Sequence, residues 1–332
     1  MALPLLVLNV WVALQILAYL QSLVTIFASA ALLAFILNYP VKALQRFRVP
    51  RIAAVLAILL FGVSLVALVG ISLVPVLLDQ GNELFRRLPE WIESGTLQLQ
   101  AFQRWAIAQR WSIDLTHWIS QLEDRLATQL QAGGSQILEL LLSTVGGLFN
   151  LLLTGVVTFY LLIHGDQIWA GLLQSLPASH REQVRVALRQ NFHNYFVGQF
   201  SLAFLMGITM TLAFVFIQIP FGLLFGLGVG VLAIFPFGTP LGIALVASLT
   251  ALKSIWLGLR VLAVGILIDQ CIENIVAPQI LGKFTGLNPV WILAALLLGF
   301  KLGGLLGLVT AVPLASFAKT MLNQYRLPSH SR

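Results

Sequence analysis

The chain has 332 residues, of which 59% are hydrophobic and only 9% charged, with a formal net charge of +7. Soluble chains carry about 25% charged residues to keep their surfaces wet, so this composition excludes a soluble enzyme, a disordered regulator and a free nucleic-acid binder. The apolar runs are much longer than strands, which predicts an all-α, polytopic helical membrane protein embedded in a lipid bilayer rather than a barrel.

The first 41 residues contain no charged side chain. One helix of that length would run about 60 Å against a hydrocarbon core of about 30 Å. Two spans are therefore predicted, 2–19 and 21–38, breaking near Gln21 and Ser22. A cleaved leader fits less well, because no basic segment precedes the apolar run. Lys42, Arg46, Arg48 and Arg51 then follow without an acid, the mark of a cytoplasmic loop. A third span is predicted at 52–77. These elements make an N-terminal region, 1–78.

Residues 79–143 hold eight of the twelve acids and five of the nineteen bases, a net charge of −3. This reads as an extramembrane helical region on the side opposite the basic loop. Trp91, Trp105, Trp111 and Trp118 recur in it. Headgroup-level anchoring is the simpler account of each, and a packed lid or oligomer contact is the functional one.

The third region, 144–332, is read as a transport core. A fourth span, 144–163, leads into a loop at 165–194 in which Arg181, Arg185 and Arg189 share the face of a short helix and the net charge is +1. A fifth span is predicted at 195–217, and further apolar segments at 221–251, 255–276 and 290–317. Lys319, Arg326 and Arg332 close the chain. About eight spans with both termini cytoplasmic satisfy these signs, in a multi-pass protein of the cell inner membrane. The basic excess is thus accounted for by loops, and no Lys/Arg run interleaved with aromatics calls for nucleic acid. The lone cysteine, Cys271, and five scattered histidines form no disulfide or metal pattern, so no metal or cofactor is expected.

Two late segments share a spacing. Gly222, Gly226, Gly230 and Pro236 recur 77 positions later as Gly299, Gly303, Gly307 and Pro313. Glycines four apart make a strip on which helices approach closely, so a side chain added at Gly226 or Gly303 is expected to force packed helices apart. The first copy is interrupted by Phe235-Pro236-Phe237-Gly238-Thr239-Pro240 and the second carries Lys301. Paired Gly/Pro-interrupted segments in corresponding places point to a transporter binding site, because broken backbone at membrane depth must be buried in protein or line a cavity. Both copies either span or re-enter; the charges fit either.

Between the copies, the 255–276 segment carries Asp269, Gln270, Glu273 and Asn274. Asp269 and Glu273 are four apart, on one helical face with about 6 Å between them. A carboxylate near a membrane helix centre costs about 2.5–3.5 kcal/mol on insertion scales, and two that close repel until a proton or cation joins them. That arrangement suits proton or cation coupling. The alternative puts both at the interface, hydrated or paired with Lys283.

The run Glu273-Asn274-x3-Pro278-x3-Gly282-Lys283-x2-Gly286-Leu287-x-Pro289, followed by an apolar stretch ending Gly307-x5-Pro313-Leu314-Ala315, resembles the signature of the autoinducer-2 exporter family, the PerM-like permeases. Asn38-Tyr39-Pro40 with Arg46, Thr158-Phe159-Tyr160-Leu161-Leu162, and Phe235-Pro236 with Gly238 and Pro240 are similar to that family's first basic turn, middle span and broken turn. His164 and Thr239 depart from it: the first stands where the family has an acid, the second where its turn ends in Gly-Pro. The resemblance implies a secondary transporter, not an enzyme, exporting a small polar molecule such as autoinducer-2 with proton or cation coupling; a Na⁺(Li⁺)/H⁺ antiporter is the alternative. It also implies a homo-oligomer, a pentamer being the assembly it suggests. The expected substrate or ion site comprises Asp269, Gln270, Glu273, Asn274, Phe235, Pro236, Thr239, Pro240, Pro278, Gly282, Gly286 and Pro289. No Walker A sequence is present, so ATP-driven transport would need a partner.

Overall fold

The computed structural model describes residues 21–109, 150–165, 167–171, 174, 178–281 and 288–326. The predicted first span at 2–19, together with Trp111, Trp118, Gly282, Lys283 and Gly286, lies outside these. Every described element is a helix. Five are long and apolar enough to cross a membrane, and three shorter apolar helices accompany them. The protein is a polytopic helical membrane protein.

In chain order, α1 is Gln21–Arg46, α2 is Arg51–Ala108 and α3 is Asn150–Gly165. Helix α4 is Ala178–Phe216, α5 is Gly222–Leu232 and α6 is Gly238–Lys253. Helix α7, Ile255–Cys271, passes through a π turn, Ile272–Val276, into α8, Ala277–Leu281. Helix α9 is Pro289–Arg326.

Two predicted boundaries are not breaks. The step from apolar span to acidic region near 78 falls inside α2, which continues for 58 residues through Pro75 and Pro89. The change there is one of polarity, not of backbone preference: Leu, Glu, Gln and Arg, which fill the acidic stretch, are all good helix formers. Likewise Arg181, Arg185 and Arg189 lie not on a separate short helix but on the opening turns of the 39-residue α4.

The chain divides into two compact units, 1–66 with 144–196 and 284–332, and 67–143 with 197–283. In the first, Val41, Ala54, Val55 and Leu162 form a small core between α1, the start of α2 and α3. Thr158 donates a 3.4 Å hydrogen bond to the Ala30 carbonyl. Arg51 donates through Nε (3.1 Å) and Nη2 (2.7 Å) to the Leu162 carbonyl, placing a cation on one of the free carbonyls at the C-terminal end of α3. The opening part of α4 contributes Tyr195 and Phe196 to a cluster with Leu296, Ala311 and Val312 of α9.

Helix α9 is itself a hairpin. It turns at Gly303 (φ −134°, ψ 15°) and Gly304 (φ 56°, ψ −138°), and Gly299 then lies directly against the Gly307 backbone. In the second unit α5 and α6 form another hairpin, bent at 233–237. Its glycine strip faces α4: Gly222 lies against Phe214, Gly226 against Thr211 and Gly230 against Gly207. Both late segments are therefore broken. With 11 and 16 residues, the arms of the first hairpin reach only about 16 and 24 Å, short of a bilayer core of about 30 Å.

The shared 77-residue spacing does not carry one bend onto the other. Pro236 stands in the first bend, whereas Pro313 lies buried in an arm of the second, whose bend is at Gly303 and Gly304. A Cβ at Gly303 would meet nothing within 4 Å, so the expectation that Gly303→Leu would force helices apart is wrong. The intimate contact is at Gly299 and Gly307 instead.

The tryptophans divide as well. Trp105 is 51% exposed, but Trp91 is only 3% exposed, with Phe221 at 5.9 Å and the Lys253 ammonium 5.8 Å from its ring centroid. Trp91 is a packing residue, not a headgroup anchor.

Candidate functional site

The bend of the α5–α6 hairpin is built by conformations that few sequences provide. Phe237 is left-handed at φ 64°, and a Cβ at position 238 would collide with the Leu232 carbonyl, so only glycine fits there. The bend leaves the end of α5 short of helical partners. Gln199 on α4 supplies one, donating from Nε2 to the Ala233 carbonyl at 2.7 Å.

Beside this bend is a cavity of about 310 Å³. Gln199, Leu202 and Met206 line it from α4, Phe235, Pro236, Phe237, Thr239 and Pro240 from the bend, and Asp269, Ile272 and Glu273 from the end of α7 and the π turn. The first broken segment and the acidic pair thus meet in one cavity within the second unit, whereas the expected site lay between both broken segments and the 255–276 helix, and no residue of the 290–317 segment lines this cavity. Six of the twelve expected site residues line the cavity.

Asp269 is only 8% exposed, and its Oδ1 is buried with no hydrogen-bond partner among the described residues. A buried acceptor left without a partner costs about 1–3 kcal/mol, more if charged. Glu273 is exposed by comparison and sits in the π turn, where the Ala277 N–H reaches back five residues to Ile272. Such turns recur at functional sites because the widened turn re-aims side chains. The cavity thus holds one shielded and one accessible carboxylate, with the Gln199 amide and the Thr239 hydroxyl beside them. These are hard oxygen donors plus one amide, suited to a proton, an alkali cation or a small polar solute.

The other expected residues fall elsewhere. Gln270 and Asn274 are exposed and satisfy each other: the Asn274 amide donates to the Gln270 carbonyl at 2.9 Å and to Gln270 Oε1 at 2.8 Å. Sharing the same short stretch with Asp269 and Glu273 was not enough to bring them in, because a helix sends consecutive residues about 100° apart. Pro278 is exposed on α8 and does not line the cavity. Pro289 opens α9 behind Asn288, whose Oδ1 caps the Val290 N–H at 3.1 Å, a helix-starting role. Gly282, Gly286 and the suggested ion-pair partner Lys283 lie outside the described residues. Gln199 was missed, although an amide within an otherwise apolar span is a readable signal; Leu202 and Met206 carried none.

The sequence profile of AI-2E family transporters matches residues 2–327. Two transport proteins of Synechocystis are similar over nearly the whole chain: sll0060 is 39% identical, covering 98% of this chain and 95% of its own length, and sll0063 is 41% identical, covering 97% and 83%. The AI-2 transport protein TqsA of Escherichia coli is 27% identical, covering 90% and 85%. By a match of this extent, the chain belongs to the AI-2E family of membrane transporters.

Proposed function

We propose that this protein is a secondary transporter that exports a small polar solute across the inner membrane, coupled to a proton or monovalent cation held by Asp269 and Glu273. The observation that carries the reading is the buried, unpartnered Asp269 oxygen in a cavity at a helix break. A membrane protein keeps such a group at a cost that Asn in its place would largely avoid, and a bound cation or proton supplies the missing partner. The name of TqsA makes autoinducer-2 the first solute to try, and a cavity of about 310 Å³ accepts a molecule of that small class. The charge signs support cytoplasmic termini, and we read the chain as one subunit of a homo-oligomer.

The test is flux in proteoliposomes, comparing an imposed pH gradient, a Na⁺ gradient and no gradient, with autoinducer-2 efflux and internal pH followed together. Gradient-driven solute movement supports the reading. Equal flux in all three conditions would reduce the protein to a facilitator, and no movement of this solute would reject it as the substrate.

A further inference from the structure

The acidic half of α2 does more than extend the helix. Gln80, Leu84, Trp91, Gly95 and Gln98 lie within a strip about 60° wide on its surface, since 18 residues make five turns. Each touches the second unit's hairpin or its core: Gln80 Oε1 accepts from the Leu224 N–H at 3.1 Å, Leu84 packs on the main cluster, and Trp91 contacts both Phe221 and Lys253. A Cβ at Gly95 would stand 3.3 Å from the Leu252 carbonyl oxygen.

Gln98 uses both ends of its amide. Nε2 donates to the Leu252 carbonyl at 3.2 Å and to the Ser94 carbonyl of its own helix at 3.1 Å, and Oε1 accepts from the Ile255 N–H at 2.8 Å. Between these two residues Ser254 is extended (φ −161°, ψ 128°) and ends α6 before α7 begins. In an unbroken helix both groups would have had backbone partners; at the corner they would be orphans. Gln98 takes the place of both.

The corner matters because of what its two arms carry. Helix α6 leads back to Thr239 and Pro240, and α7 leads forward to Asp269; these distal ends line one cavity. Each arm is about 22 Å long, so a change of 5° at Ser254 moves the far ends by about 2 Å relative to each other. We propose that Gln98 is a positioning residue of the Asp269 cavity, holding it closed from the far end of the α6–α7 corner, so that the extramembrane part of α2 sets access to the carboxylate.

The proposal uses the reading of the cavity as the transport site, but its test does not depend on transport. Purified full-length protein is treated with a water-soluble carbodiimide and an amine, which modify carboxyls that solvent reaches, and labelling of Asp269 is quantified by peptide mass spectrometry. Gln98→Met keeps volume and removes the two corner hydrogen bonds together with the local one to Ser94; Gln98→Glu keeps the acceptor and loses the donor; Glu83→Gln, in an exposed pair with Arg87, is the control. The expected result is labelling at least threefold faster in Gln98→Met, an intermediate rate in Gln98→Glu and no change in the control, with unaltered thermal melting. Wild-type labelling in a folded Gln98→Met protein overturns the proposal. So does aggregation of both Gln98 variants, which would assign the residue to folding alone. If Asp269→Asn transports normally while Gln98→Met still alters labelling, the transport role falls and the positioning role stands.

Discussion

Replacing Gly226 by alanine, alongside the same change at Gly228, separates helix packing from helix preference. Both glycines are in α5, so each substitution gains the same helix preference, about 0.5–1 kcal/mol. They differ in what the new methyl meets. At Gly228 nothing lies within 4 Å, whereas at Gly226 the methyl falls on the Thr211 backbone nitrogen, Cα and hydroxyl. A side-chain tip could rotate away, but backbone has to shift, which places the cost in the upper part of the usual overpacking range of about 1–3 kcal/mol. The two variants should differ by about 2–3 kcal/mol, with Gly228→Ala as stable as the parent or more so and Gly226→Ala clearly less. Thermal unfolding of the detergent-purified proteins, followed by tryptophan fluorescence, gives the order. Equal melting temperatures would refute the close α4–α5 packing and with it the support of the bend.

Three further outcomes are expected. Gly304→Ala should lose about 1–3 kcal/mol of stability, because φ 56° with ψ −138° belongs to glycine; thermal unfolding beside Gly303→Ala, which meets no neighbour, isolates that strain. Trp91→Ala should cost about 3–5 kcal/mol, and a loss no larger than that of Trp105→Ala would return Trp91 to a headgroup role. A cysteine at Gln100, exposed on α2, should react with an impermeant maleimide from outside intact cells; labelling only in inverted vesicles would reverse the topology.

Much of this architecture was legible in the sequence because the bilayer leaves few options: charge-poor runs longer than a strand must be helices, and Gly/Pro interruptions inside them must be buried or line a cavity. That logic found the Phe235 to Pro240 bend and the Asp269–Glu273 pair, and the two do line one cavity. It erred where composition and backbone part company. The shift to acidic residues at 79 marks a change of region that one helix runs straight through, since nothing in Glu, Gln or Arg stops a helix. The glycine spacing looked like a repeat, yet identical spacings serve different contacts: Gly226 meets α4, while Gly303 stands at a bend with open space around it. The roles of Gln98 and Gln199 depend on carbonyls and N–H groups left free at distant breaks, and that information exists only once the breaks are in place.

In the proposed mechanism the shielded carboxylate of Asp269, with Glu273 beside it, binds the coupling proton or cation. The most direct measurement is solute flux as a function of pH in proteoliposomes for wild type, Asp269→Asn, Glu273→Gln and the double variant, each paired with its detergent melting temperature. The amide variants should fold as well as the parent, since amides are cheaper to bury than charges, with gradient-driven flux abolished and its pH dependence flattened. A well-folded double variant with unchanged gradient-driven flux and pH profile would contradict it.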